Sequence, residues 1–397
     1  MSIFTGAGVA LITPMNPDGS INYPEMEHII NDQIAGGTDA VIVCGTTGET
    51  ATMTYDEHIE TIRACVQMTA GRIPVIAGTG SNCTKSAVKL SVAAERAGAD
   101  GLLVVSPYYN KATQNGIKAH YKQIAAAVDL PILMYNIKGR TGVNIAPQTI
   151  VDLVQEVSNI VGVKEASGDL SQIADIMARC DGEIDLYSGN DDQIVPIVAL
   201  GGKGGISVLS HVAPRDTHDM VIKMLEGDTD GARRLQLKYI PLIHALFCEV
   251  NPIPVKAAMN MLGYQAGPLR MPLTEMEEEH QETLREAMRK AGLDVKHAGE
   301  VNDLAKAGNE VAKQIMDDAK EYLANFIGVV YGYADPEIVI LGGSVALKID
   351  GFVEEVEALA KERVYEIMKP YVKVRKSTLN EDSGLIGAAY LAFSKAE

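Results

Sequence analysis

Lys164 lies in the stretch IVGVKEASGDL, at the end of a short apolar run and the start of a loop. An ammonium at the end of a buried strand is poorly solvated. Burial and neighbouring groups tune such a lysine from roughly 10.4 down to roughly 7–8. An amine in that range attacks a ketone and forms a Schiff base. The plain alternative is a lysine that merely ends a strand, with Glu165 as its surface partner. Other chemistry-bearing residues recur at similar places. GTTGE brings Thr46 and Thr47, and PYYN brings Tyr108 and Tyr109. LPILMYN carries Tyr135, and Arg140 follows five residues later in NIKGRTG. SGNDD supplies Gly189 and Asn190, and GGISVLS carries Ile206. Gathered at one mouth, these are an amine, hydroxyls, phenols and a guanidinium.

Each group also has a simpler reading. GTTGE makes a tight turn if Gly45 and Gly48 supply awkward backbone angles; its hydroxyls and free amides also make a nest for a carboxylate. Tyr135 is core packing, or an acid–base group beside a lysine. Arg140 is a surface charge, or a bidentate grip on a substrate carboxylate. GGKGG (201–205) precedes a strand, whereas phosphate loops follow one, so it is not read as a phosphate site. No HxH, HExxH or carboxylate cluster points to a metal, and the eight histidines are scattered.

The elements that must position these groups alternate from residue 7 to about residue 227. Eight short apolar runs are separated by longer amphipathic segments: GVALITPM, DAVIVCG, IPVIAGT, DGLLVVSP, LPILMYN, NIVGVKE, IDLYSGN and GGISVLS. Such runs suit parallel strands buried on both faces. Segments such as YDEHIETIRACVQMTAG and TKSAVKLSVAAERAG read as helices, the second closing on Gly98. Eight β-then-α units predict a (β/α)8 TIM barrel, whose active groups sit on loops at the C-terminal strand ends. C-terminal helices are expected near 230–246, 252–263 and 274–291. After Gly292 the character changes. Residues 294–299 read as a linker, and 300–397 as a small α/β appendage. Its expected elements are a helix over about 300–333, a strand PEIVILGG, a helix near 350–369, a strand VKVRKSTL and a helix GLIGAAYLAF.

Charge and composition limit the partners. The net charge of −17 disfavours nucleic acid and anionic membrane surfaces, and residues 294–397 carry −6 of it. Five cysteines, an odd number without CxxC spacing, read as reduced thiols of a cytoplasmic protein. No signal-peptide pattern or bilayer-length apolar run is evident.

With GTTGE, PYYN, YN followed by GRTG, GVKEASGD, SGNDD and NPIPVK in place, residues 1–293 resemble the dihydrodipicolinate synthase family of pyruvate-dependent class I aldolases. The resemblance implies that Lys164 forms a Schiff base with pyruvate. Thr46, Thr47 and the turn amides hold its carboxylate. Tyr135, Thr46 and Tyr109 relay protons, with Tyr109 donated by a neighbouring subunit. Arg140 grips the carboxylate of aspartate-4-semialdehyde, and Gly189 and Ile206 line the pocket. No cofactor is required. At least a homodimer is implied, and a homotetramer is the family expectation. Another pyruvate-dependent aldolase acting on a sugar acid, or a scaffold whose tail binds a partner, are the alternatives. Lys138-Gly139 departs from the Pro-Ser pair familiar before the arginine. In lysine-inhibited relatives a feedback site lies at a subunit interface. Thr50, Ala51, His58, Asn82 and Tyr108 match it, while Tyr55 replaces a histidine and Ser86 a carboxylate. Residues 300–397 resemble the C-terminal segment of ROK-family sugar kinases through LAKAGNEVAKQI, ADPEIVILGGS and SGLIGAAYLA. That family's phosphate-binding glycine motif, catalytic aspartate and zinc motif are missing. The tail is therefore expected to be catalytically empty and to serve packing or self-association.

Overall fold

The computed structural model describes residues 2–295, 298–342, 345–346 and 349–377. The chain divides into two compact units, residues 1–295 and 296–397.

The first unit is a closed barrel of eight parallel strands in sequential order. They are β1 (Gly6–Ala10), β2 (Ala40–Val43), β3 (Val75–Gly78), β4 (Gly101–Val105), β5 (Ile132–Asn136), β6 (Ile160–Glu165), β7 (Asp185–Ser188) and β8 (Gly204–Ser207). Each falls inside an expected apolar run, except that β1 starts slightly before its own. Closure depends on β1 lying against β8, with Gly6 paired to Gly204. A Cβ on Gly204 would collide with the Gly6 carbonyl oxygen, so the seam admits no side chain there. Val9, Val41, Val43, Val75, Leu102 and Met134 pack outward against the surrounding helices. Ile42, Ile76, Leu103, Leu133, Tyr187 and Ile206 fill the interior. Tyr187 stacks on Phe4 at 4.3 Å between ring centroids and donates its hydroxyl to the Phe4 carbonyl at 2.6 Å. The interior is thus a packed core, and chemistry is left to its rim.

Local signals set the helix ends. Thr54 and Glu57 form a reciprocal capping box for Tyr55–Thr69. Gly98 closes Thr84–Ala97 in the left-handed conformation, as the sequence predicts. Behind the barrel, helices Thr229–Leu246, Ile253–Met261 and Glu278–Lys290 follow the expected order. The last starts later than residue 274, because Glu277 still has extended backbone and donates its N–H to Glu249.

The second unit corrects three expectations. The helix expected over about 300–333 is two helices, Ala298–Lys306 and Glu310–Ala334. Gly308, at φ +91°, turns the chain, and Asn309 caps the second helix by accepting from the Ala312 N–H. The first of these already begins inside the stretch read as a linker. Strands β9 (Val339–Leu341) and β10 (Val374–Lys376) pair in parallel. The helix near 350–369 is shorter, Phe352–Glu362, and Arg363 beyond it turns its guanidinium onto Glu321 and Asn325 of the long helix. Ala324, Ile327, Tyr331, Val353, Val356 and Val374 form a small separate core. The helix read from GLIGAAYLAF lies outside the described residues, as do Gly343 and Ser344 of LGGS.

Candidate active site

Strands β5 and β6 bring two functional side chains together directly. Tyr135 and Lys164 are register partners, both buried, and the Lys164 Nζ sits 4.5 Å from the Tyr135 ring centroid. The Lys164 Nζ donates no hydrogen bond among the described residues, so its donors are uncommitted. Burial lowers its pKa to about 8, and the nearby Arg140 charge adds to the lowering while Asp191 opposes it. Burial pushes the Tyr135 phenol up to about 12, against the pull of Arg140 and a hydrogen bond with the Thr46 side chain. At neutral pH the phenol is protonated, and the amine is accessible in its neutral form.

The GTTGE turn adjoins this pair through that Thr46 contact. Thr47 is buried, and its Oγ1 accepts from the Asn251 side-chain amide at 3.0 Å. The left-handed residues of the turn are Cys44 and Glu49, at φ +54° and +56°. Gly45 and Gly48 are not the source of its shape, contrary to the expectation. Gly48 is small for another reason: a Cβ there would lie 3.2 Å from the Leu11 carbonyl oxygen and 3.3 Å from the Thr13 Oγ1.

Arg140 lies in a one-turn helix, Lys138–Thr141, and donates to the Asn251 carbonyl at 3.0 Å. A Cβ on Gly139 would meet nothing within 4 Å, so the departure at Lys138-Gly139 leaves the arginine's anchor intact. Gly189 follows β7 and donates its N–H to the Glu165 carbonyl. A Cβ on Gly189 would come within 3.1 Å of the Lys164 Cε and 2.6 Å of the Ala166 Cβ, so only glycine leaves the lysine room. Ile206 on β8 is buried in the interior layer that also holds Tyr135.

Tyr109 behaves differently. It is 84% exposed at φ +78°, and within the described residues of this chain its side chain donates no hydrogen bond to Tyr135 or Thr46. Of the remaining sequence-assigned residues, Thr50 and His58 are in contact. Thr50 Oγ1 lies 3.2 Å from the His58 Nδ1, and the His58 Nε2 lies 2.8 Å from the Gly78 carbonyl. A carbonyl partner fixes Nε2 as the protonated nitrogen, and burial holds the ring neutral by lowering its pKa. Ala51 and Asn82 are exposed, as is Tyr108. Where helix Thr84–Ala97 packs on helix Tyr55–Thr69, the Lys89 ammonium stands 3.7 Å above the Tyr55 ring.

Three residues of the site were not singled out from sequence, and a fourth, Glu165, was read only as a surface partner. Glu165 is fully buried and accepts from Asn136, Gln172 and the Ser167 N–H, so the surface-partner alternative does not hold. Asp191 is buried beside Lys164 and accepts from the N–H groups of Val208 and Leu209; burial nevertheless raises its pKa. Asn251 ties Thr47 to Arg140. Lys256 donates to Glu49 at 2.9 Å and to the carbonyls of Thr13 and Pro268, which braces the GTTGE turn from beneath. The second carboxylate oxygen of Glu49 accepts the Arg270 N–H.

A low-pKa amine, a protonated phenol, a hydroxyl turn and an anchored guanidinium now meet at one barrel rim. The profile of the dihydrodipicolinate synthetase family matches residues 3–291. The chain belongs to this family. The 4-hydroxy-tetrahydrodipicolinate synthase of Lachnoclostridium phytofermentans is 55% identical over 293 residues, spanning 74% of this chain and all of the relative. The crystal structure of dihydrodipicolinate synthase from Aquifex aeolicus is 45% identical, with a TM-score of 0.72, covering 74% of this chain and all of that one. A dihydrodipicolinate synthase variant described as monomeric is 40% identical, with a TM-score of 0.72, covering 74% and 98%. A second profile, of the ROK family, matches residues 281–395. No helix among the described residues is long and apolar enough to cross a membrane.

Proposed function

We propose that residues 1–293 catalyse the condensation of pyruvate with L-aspartate-4-semialdehyde to 4-hydroxy-tetrahydrodipicolinate, in the cytoplasm, as a lyase of lysine and diaminopimelate biosynthesis. The observation that carries this reading is the pairing of Lys164 and Tyr135 across β5 and β6. The neutral Lys164 amine attacks the ketone carbon of pyruvate, and water leaves as the iminium forms. The iminium draws electrons from the adjacent methyl group, which loses a proton to give an enamine. The enamine carbon then bonds to the aldehyde carbon, whose oxygen takes up a proton, and the amino group of the aldehyde substrate attacks the iminium carbon, closing the ring and displacing the Lys164 amine. Tyr135 moves these protons with Thr46, and Tyr109 of a neighbouring subunit completes the relay. Its exposure in the single chain supports that role, and the assembly is at least a homodimer, with a homotetramer the family expectation. Thr46, Thr47 and the turn amides take the pyruvate carboxylate. Arg140 takes the carboxylate of the aldehyde, while Gly189 and Ile206 shape the wall.

Arg140 favours this substrate over a neutral sugar-derived aldehyde. The test is turnover with pyruvate and each aldehyde in turn. Turnover with aspartate-4-semialdehyde that Arg140→Ala weakens in KM supports the reading; turnover confined to sugar-acid substrates overturns it. Residues 300–397 act as a non-catalytic packing or self-association module.

A further inference from the structure

The helix Glu310–Ala334 has two apolar faces, and the tail's own core accounts for one. Met316, Ala324, Ile327 and Tyr331 are buried in that core. Val311, Ile315, Tyr322, Phe326, Val329 and Tyr333 form a second stripe, exposed among the described residues, from 52% at Ile315 to 95% at Tyr333. With Asp318 included, the stripe advances in steps of 4, 3, 4, 4, 3 and 4 residues. The mean step is about 3.7 residues, close to the pitch of a straight helix, so the stripe runs along one side without winding off.

The order of these steps is a palindrome centred on Tyr322. A two-fold antiparallel pairing of two copies therefore sets Val311 against Tyr333, Ile315 against Val329, Asp318 against Phe326, and Tyr322 against itself. An isologous interface requires this self-complementarity. Charge selects the same direction. Glu310, Lys313, Asp317, Asp318, Lys320 and Glu321 occupy the first half of the helix, and the second half carries no charge. Antiparallel copies set the charged half against the uncharged half and oppose the helix dipoles; parallel copies would set Asp318 against Asp318. The stripe is about 33 Å long.

We infer that the stripe centred on Tyr322 is a docking surface for a second copy of this chain, paired antiparallel through the same helix. The inference rests on the reading of the tail as a self-association module and names its surface. Single-cysteine substitutions in the full chain test it, with cross-linked peptides mapped by mass spectrometry and pyruvate turnover followed in parallel. Tyr322→Cys should form a disulfide with itself between chains. Val311→Cys should link only when mixed with Tyr333→Cys. Asp318→Leu completes the seam and should tighten association of the tails by at least about tenfold. Turnover should stay at its starting level throughout, so a failure here is separable from a failure of the catalytic reading. Val311→Cys linking to itself would mean a parallel pairing. Tyr322→Cys linking to the barrel or to residues 378–397 would mean another occupant. Either result, or a Tyr322→Cys thiol that stays unlinked and is freely labelled, overturns the inference.

Discussion

Two lysines are buried in the barrel unit, and they do opposite things. Lys256, beneath the GTTGE turn, spends all three donors on Glu49 and on the carbonyls of Thr13 and Pro268. Lys164, at the rim, spends none among the described residues. Burial is the main cause that lowers both pKa values, and at each lysine a carboxylate opposes it and an arginine adds to it; the difference is that Glu49 hydrogen-bonds Lys256 directly, whereas Asp191 acts on Lys164 only through its charge. Burial alone therefore does not make a nucleophile. A desolvated amine with uncommitted donors is reactive; one held in an ion pair with two carbonyl acceptors is a brace.

Exchanging one lysine at a time should break the comparison cleanly. Lys164→Ala should abolish turnover and leave thermal stability near that of the parent. Lys256→Met leaves the Glu49 carboxylate buried without its partner, a cost of about 3–5 kcal/mol. Its expected signature is a large fall in the denaturation midpoint, with Lys164 still able to react in whatever protein remains folded. Equal loss of stability in both variants would erase the distinction.

Tyr135→Phe sharpens the comparison on the catalytic side. Proton transfer by a positioned group contributes about 10²–10⁴-fold, so kcat should fall by that order while the pyruvate KM changes little. The Glu49–Lys256 ion pair is untouched by this substitution, and the turn loses only its Thr46 contact with the phenol. A rise in KM with kcat unchanged would assign the phenol to binding.

The Lys164 pKa of about 8 sets the pH dependence. Below it the amine is protonated and inert, so kcat/KM for pyruvate should rise with pH through about 8 and level off above. For stability the sign is opposite to that of a favourable ion pair. The unfolded chain binds the proton up to about 10.4 and the folded chain releases it near 8, so the penalty of burying this amine is full below pH 8 and fades as pH rises. Arg140→Ala removes a neighbouring positive charge and should shift the activity midpoint upward. A downward shift would show that the guanidinium does not act on the amine.

The smallest expected effect concerns feedback. Tyr55 and Ser86 replace a histidine and a carboxylate, and Lys89 already places its ammonium over the Tyr55 ring. A second ammonium meets repulsion there instead of an ion-pair partner. Inhibition by L-lysine should be weak or absent, and Lys89→Ala should increase it modestly. Strong inhibition of the unmodified chain at micromolar lysine would contradict this reading of the site.

The sequence revealed most of what depends on neighbours in the chain. Eight apolar runs became eight strands because each is short, largely apolar and followed by an amphipathic segment. Lys164, Tyr135 and Gly189 were legible because they sit at or just after strand ends. What escaped depends on distant partners. Lys256 meets Glu49 across 207 residues, and Asn251 meets Thr47 across 204. Asp191 and Asp192 are adjacent and alike in sequence, yet only the fold buries the first and exposes the second. The glycines of GTTGE misled for a related reason. Gly48 is small so that Leu11 and Thr13 can approach, a tertiary demand, while the left-handed angles fall on Cys44 and Glu49. In the tail, periodicity ran through Gly308 and concealed the break that Gly308 and Asn309 impose.

The most direct measurement is borohydride reduction of the full chain with pyruvate, followed by peptide mapping. One reduced adduct is expected, on Lys164, absent in Lys164→Ala and retained in Tyr135→Phe. An adduct on Lys256 or any other lysine, or trapping that survives Lys164→Ala, would contradict the role given to this amine.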